Sequence, residues 1–388
     1  MEKFDLYQDI ATRTGGDIYI GVVGPVRVGK SSFITKFMQT IVLPNIEDIP
    51  HKQRILDELP QSADGKTIMT TQPKFVPDGG VKAQLGEGIC PNIRLVDCVG
   101  YPVKDAKGFD EDDKTRLVTT PWTDEEIPFE QAAEIGTRKV IQDHSTIGVV
   151  VTTDGSITGI GRDNYVESEE RVVREMQELG KPFVVLLNSK KPNDTKSKQL
   201  CQSLQEKYGC RVLLYNVLEM SGGDMADVLE EILGEFPLGS LDIELPSWLQ
   251  ALPRDNKVIA HIVDKVSTCM DEIAKMKDYK KLYELFDNDE FLDKSSDVKV
   301  EFGKGKCTLA VKPKPHLFYQ VLSEQSGQEI KDDFALISYI KELSSAKSQF
   351  DRIKSALEDV DNFGYGIVVP SVDELELMPP QIVKKGNK

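Results

Sequence analysis

The segment Gly24-Pro25-Val26-Arg27-Val28-Gly29-Lys30-Ser31 constrains this chain more than any other. It fits the spacing G-x-x-x-x-G-K-[ST], follows the β-branched run at 17–24, and precedes a predicted helix from Lys30 to about Ile41. The glycines let backbone N–H groups close around phosphate oxygens, while the helix directs its positive end at them. Lys30 then reaches the β- and γ-phosphates and Ser31 a magnesium ion, with Gly24, Arg27, Val28, Gly29 and Ser32 completing the cradle. The chain is therefore read as a P-loop nucleotide hydrolase.

Such a loop belongs at the end of a buried parallel strand, and the rest of the first half supplies the partners. Strands are predicted at 74–76, 81–85, 93–97, 147–152, 182–188 and 211–215. Helices are predicted at 130–143, 164–179, 195–208 and 224–236. Strand–helix repeats of this length imply right-handed crossovers and a mainly parallel sheet with helices on both faces, an α/β fold. Residues 101–128, acidic with glycines and prolines, are too long for an ordinary connection and read as a functional flap or a disordered insert.

Beyond Pro237 the pattern changes. A long amphipathic helix is predicted with Ile259, Ile262, Val266, Met270, Ile273 and Met276 on one face. A hairpin is predicted around Gly303-Lys304-Gly305, and two more helices near 316–323 and 332–360. The resulting division is a P-loop domain over 1–238, a smaller α+β domain over 239–369, and 370–388 as a linker or the start of a missing C-terminal domain.

A net charge of −16 opposes unspecific attachment to nucleic acid or anionic lipid, so no nucleic-acid partner is expected. No apolar run approaches the roughly 18 residues that span a bilayer, and the acidic start lacks a secretory core, which points to the cytoplasm. The six cysteines have no metal-ligand spacing and read as reduced thiols.

Asp97 ends a predicted strand and opens Asp97-Cys98-Val99-Gly100. In this D-x-x-G arrangement the carboxylate holds magnesium through water and the Gly100 N–H senses the γ-phosphate. Thr70 and Thr71 sit where a loop folds over the nucleotide, to offer oxygen to the metal and to the attacking water; the alternative is two threonines entering an edge strand. Arg27 acts as an arginine finger in cis or else points to solvent. Where many GTPases carry a water-orienting glutamine after D-x-x-G, this chain has Tyr101. At the base-reading position N-K-x-D the chain has Asn188-Ser189-Lys190-Lys191. The Asp that selects guanine is missing, which favours adenine. His144, at a helix end, reads as a capping residue.

Three further stretches stand beside the P-loop: Lys66 to Pro77, Arg94 to Tyr101, and Glu134 to Ile141. With them the chain resembles the stage IV sporulation protein A family, from Gly15 into the second domain and more weakly after Leu245. The resemblance implies a translation-factor-like GTPase fold that has switched to ATP with Mg2+. It implies hydrolysis that drives self-assembly into a homopolymer, the basement layer of the spore coat, on the outer forespore surface in the mother-cell cytoplasm. It also implies a short amphipathic membrane-anchoring peptide and spore coat proteins as partners, through a further C-terminal domain, and Lys30, Thr70, Thr71 and Asp97 as the functional set. A GTP-dependent switch and a nucleotide-binding scaffold without turnover are the competing readings.

Overall fold

The computed structural model describes residues 3–60, 73–83, 85, 91–104, 110–111, 114–115, 117–120, 123–294, 297–370, 376 and 378–380. They fall into two compact units, one comprising residues up to 289 together with 293–312, the other 290–292 with 313–388.

The first unit is built on a six-stranded sheet. Its strands are β1 (Asp17–Val23), β2 (Lys74–Lys82), β3 (Asn92–Asp97), β8 (Ile147–Thr153), β9 (Phe183–Asn188) and β10 (Val212–Tyr215), in the order β10-β9-β8-β1-β3-β2. All neighbours run parallel except β2, which pairs antiparallel with β3 at the edge. Every residue of β8 and β9 is buried, as expected of strands covered on both faces. On one face Val23, Val96, Val150 and Val185 pack with Val140 of α4 (Phe129–His144), Val172 of α5 (Val166–Glu178) and Leu204 of α6 (Thr195–Tyr208). Ile20 and Val22, which alternate with Val23 and so point the other way, are equally inaccessible. There α2 (Lys30–Phe37) lies on β1 and α7 (Gly222–Gly234) on β9, with α1 (Lys3–Arg13) against α7.

Several local expectations are revised. The helix after the phosphate loop is α-helical only to Phe37 and continues as a π-turn over Met38–Val42. The two strands expected at 74–76 and 81–85 are one strand, β2, with an irregularity between Val76 and Val81. The helix expected from 164 begins as a 3-10 turn at Arg162–Tyr165 before α5. Between 110 and 128 the chain forms two small hairpins, β4 (Asp110–Glu111) with β5 (Lys114–Thr115) and β6 (Leu117–Thr120) with β7 (Thr123–Pro128). His144 is the last residue of α4, its ring edge-on to Phe75 at 5.3 Å. Neither α1 nor α3 (Ile49–Glu58) was anticipated.

Residues 240–310 add a three-stranded sheet, Ser240–Glu244 beside Lys306–Ala310 beside Val298–Glu301, the last two forming the expected hairpin. The short helix α8 (Ser247–Gln250) precedes α9 (Lys257–Glu272). Ile273 and Met276 were expected on α9, yet the backbone leaves the helix before them. Ala274 O accepts from Leu238 N at 3.1 Å and Met276 N donates to Phe236 O at 2.8 Å. Pairing with a distant segment overrides the local helical period.

The second unit carries α10 (Leu317–Ser326) and the 31-residue α11 (Asp333–Phe363). Among the described residues no helix is long and apolar enough to cross a membrane.

Candidate nucleotide-binding site

Strand register places the motif residues together. Val22 of β1 lies opposite Asp97 of β3, and Thr153 of β8 opposite Asn188 of β9. The phosphate loop, Asp97 and Asn188 thus share the carboxyl edge of the sheet. Since β3 lies on one side of β1 and β8 on the other, the loop leaves β1 at the point where strand order reverses, the usual ligand crevice of an open parallel sheet.

The loop is held by backbone contacts that demand glycine. Gly24 has φ 143°, and a Cβ there would stand 2.1 Å from the carbonyl oxygen of Val151. Val26 N donates to Tyr101 O at 2.9 Å and Tyr101 N to Gly24 O at 3.2 Å, so the D-x-x-G segment lies directly on the phosphate loop. Gly100 has φ 94°, and a Cβ there would meet Lys30 Nζ at 2.3 Å. Gly29, also left-handed, precedes the first turn of α2. Val28 is buried and contributes its carbonyl, and Ser32 sits in that first turn.

Lys30 is 5 % exposed and donates from Nζ to Pro25 O at 2.7 Å and to Gly24 O at 3.3 Å. Burial pulls its pKa down to about 8, against the charges of Asp97 and Cys98, which favour the ammonium. Ser31 Oγ donates to Asp97 Oδ2 at 2.6 Å. Burial raises the Asp97 carboxyl above its ordinary range, and the Ser31 hydrogen bond and the Lys30 and Lys74 charges only partly offset it. An ammonium, a hydroxyl and a carboxylate thus converge beneath the loop. Two adjacent hard oxygens fit a magnesium ion that takes its other ligands from water and phosphate. Among the described residues no group of three or more His, Cys, Asp or Glu side chains could hold a metal alone.

Asn188 is buried and joins two loops. Its Nδ2 donates to Val28 O at 2.9 Å, and its Oδ1 accepts from Val217 N at 3.1 Å. Ser189, where a base-reading lysine would stand, is wholly buried, and its Oγ accepts from Lys191 N at 3.0 Å. Beyond it Lys190, Lys191, Pro192, Asn193, Asp194 and Glu219 line a hollow of about 560 Å³. This hollow lies on the base side of the site.

Tyr101 is 1 % exposed, and its hydroxyl donates to Glu175 of α5. Its ring belongs to the core and is turned from the role a glutamine would play. Arg27 has φ 63° and is half-buried, with its charge near the Tyr165 hydroxyl, which also meets Thr158 Oγ1 at 2.8 Å. Thr70 and Thr71 lie outside the described residues. The motif reading overlooked Asp154, whose carboxylate accepts from Ser156 N at 2.9 Å and from Ser197 Oγ at 3.2 Å. Burial works against this charge, and the hydrogen bonds from Ser156, Ser189 and Ser197 outweigh it, leaving the pKa lowered. The turn signal Asp154-Gly155 after a strand was its one trace in the sequence.

A glycine-rich loop between strand and helix, at the reversal point of a mainly parallel sheet and with lysine, serine and aspartate beneath it, defines a P-loop nucleoside triphosphatase fold. Comparison with known proteins narrows the class. Residues 1–237 match the family model "Stage IV sporulation protein A, ATPase domain", and residues 238–388 match "Stage IV sporulation protein A, middle domain". The chain is 48 % identical over 384 residues to stage IV sporulation protein A of Clostridioides difficile (strain 630), covering 99 % of this chain and 78 % of that protein. It is 44 % identical over 388 residues to the Bacillus subtilis (strain 168) protein of the same name, covering 100 % of this chain and 79 % of that protein. The chain belongs to the stage IV sporulation protein A family and carries its ATPase domain.

Proposed function

We propose that this protein is a magnesium-dependent ATPase whose turnover drives its own assembly into a polymer at the base of the bacterial spore coat. The observation that carries the enzymatic part is the cluster of buried Lys30 with the Ser31–Asp97 pair at 2.6 Å under a glycine loop.

In this reading the amides of residues 26–31 and the Lys30 ammonium neutralise the β- and γ-phosphates, where charge shifts during transfer. Ser31 and Asp97 would hold magnesium, which would supply positive charge to the phosphate oxygens. Gly100 presents its N–H beside Lys30 as the γ-phosphate sensor. Asn188 keeps the loop in register. Water positioning falls to Thr70 or Thr71, since the Tyr101 hydroxyl is engaged with Glu175. Arg27 adds positive charge near the loop. Adenine is the base, because Lys191 stands where guanine recognition needs a carboxylate, so the guanine N–H groups would go unpaired. The same reading places assembly at the forespore surface in the mother-cell cytoplasm, with an amphipathic anchoring peptide and coat proteins as partners, and family membership supports it.

Steady-state phosphate release from ATP and from GTP, by the protein and by Lys30→Ala, tests this reading. ATP turnover that the substitution abolishes is expected. Turnover indifferent to Lys30→Ala would overturn the site, GTP preference would overturn the base assignment, and nucleotide left intact would favour a scaffold.

A further inference from the structure

The long helix α11 carries a pattern that the nucleotide site does not use. It is capped at both ends, by Asp332, which accepts from Ala335 N at 2.8 Å, and by Gly364 at φ 82°. Along it Leu336, Leu343, Phe350 and Leu357 recur every seven residues. Three positions after each stand Tyr339, Ala346, Ile353 and Val360. This is an unbroken four-heptad a/d seam, long enough to signal a coiled coil. The seam is bare over its last three heptads, with Leu343 49 % exposed, Phe350 48 %, Leu357 47 % and Val360 45 %. From residue 341 to 363 only Ala356, a flanking g position, is buried. The segment after Gly364 turns back onto it, where a Cβ on Gly366 would stand 1.9 Å from Ala356 O.

Apolar rows of this length on a soluble helix require a cover, and the flanking charges say which. With copies parallel and in register, each g residue faces the e residue of the next heptad of a neighbour. Glu342 would meet Lys347 of the second copy, an attractive pair repeated by symmetry, and Gln349 would meet Lys354. An antiparallel arrangement would instead bring the e-row lysines Lys347 and Lys354 against each other.

We infer that α11 is a self-association surface, through which copies of this chain join as a parallel, in-register coiled coil. The inference rests on the self-assembly part of the function proposed above and locates one of its contacts. Four-heptad pairing is independent of nucleotide, because none of its residues belongs to the phosphate site.

The test is sedimentation velocity of the full chain across a concentration series, with and without ATP. Wild type is expected to associate without nucleotide. Phe350→Glu, a change at an exposed position that leaves the fold and ATP turnover intact, is expected to return it to single-chain mass. Glu342→Lys is expected to weaken association by about fivefold, and Glu342→Lys combined with Lys347→Glu to restore it. A single-chain mass at every concentration, or association indifferent to Phe350→Glu, overturns the seam. Failure of the charge swap to rescue overturns the parallel register. An ATP-dependent polymer that persists in Phe350→Glu overturns the seam alone, whereas Phe350-dependent association without any ATP-driven polymer overturns the assembly ATPase and leaves the seam standing.

Discussion

Asn188 offers a quantitative test of how the site is held together. Its amide donates to Val28 O at 2.9 Å and its carbonyl accepts from Val217 N at 3.1 Å, with only 3 % of the residue exposed. Asn188→Ala removes both bonds and leaves a buried carbonyl and a buried N–H without their partner. Each bond contributes about 1 kcal/mol net and each orphaned group costs up to a few more, so a loss of about 2–4 kcal/mol is expected. With a typical dependence on denaturant this lowers the urea midpoint by roughly 1 M. Asn188→Asp keeps the acceptor for Val217 N but sets a carboxylate against the Val28 carbonyl, and should cost more than alanine despite its closer shape. Urea unfolding read by tryptophan fluorescence and circular dichroism gives the stabilities. ATP titration of the surviving folded protein should show KM rising more than kcat falls, because the defect lies in loop placement. An alanine variant within about 0.5 kcal/mol of wild type, or an aspartate variant more stable than the alanine one, would refute the bridging role.

Three further outcomes are expected. The Lys30 ammonium is disfavoured by burial, so its penalty is complete below about pH 8 and disappears as pH rises toward the ordinary lysine value of 10.5. Nucleotide-free protein should therefore gain up to about 3 kcal/mol relative to Lys30→Met across that window, and parallel pH–stability curves for the two would contradict it. Gly100→Ala drives a Cβ to 2.3 Å from Lys30 Nζ and 3.0 Å from Gly24 O at a φ of 94°; ATP turnover should fall at least about tenfold while circular dichroism stays native. Glu169, wholly buried, receives both Arg162 nitrogens at 2.6 Å and the Tyr208 hydroxyl at 2.6 Å. Arg162→Ala should cost about 3–5 kcal/mol, and adding Glu169→Gln should return part of it; a further loss on adding Glu169→Gln would contradict the reading of an uncompensated buried charge.

The phosphate loop and Asp97 were legible because their chemistry is written in contiguous residues, and a strand-end aspartate needs only parallel register to arrive beside Ser31. Asn188 was legible as a position in a base-reading motif, but its work is to join Val28 to Val217. Those residues are 160 and 29 positions away, and no local pattern signals the contact. Asp154 was missed for the same reason, since its partners Ser156 and Ser197 mark an ordinary turn and a helix start. Tyr101 was legible as a departure from a glutamine at that position; that its hydroxyl is held by Glu175 depends on how α5 packs. The early end of α9 shows pairing between 274–276 and 236–238 defeating a helical period, and α1 was overlooked because a short helix whose buried apolar residues include only Leu6, Tyr7 and Ile10 among those described gives a faint signal. The seam on α11 was the reverse case. The sequence reading recognised the helix, and only its exposure showed the apolar row from Leu343 to Val360 to be bare among the described residues.

The central claim is that main-chain amides around residues 26–31 hold the phosphates of ATP. Hydrogen–deuterium exchange of the full chain, with and without magnesium and a non-hydrolysable ATP analogue, reads those amides directly. Exchange in peptides covering 24–33 and 97–101 should slow by about tenfold or more on binding. Binding that leaves both peptides unchanged while protecting some other segment would contradict the account.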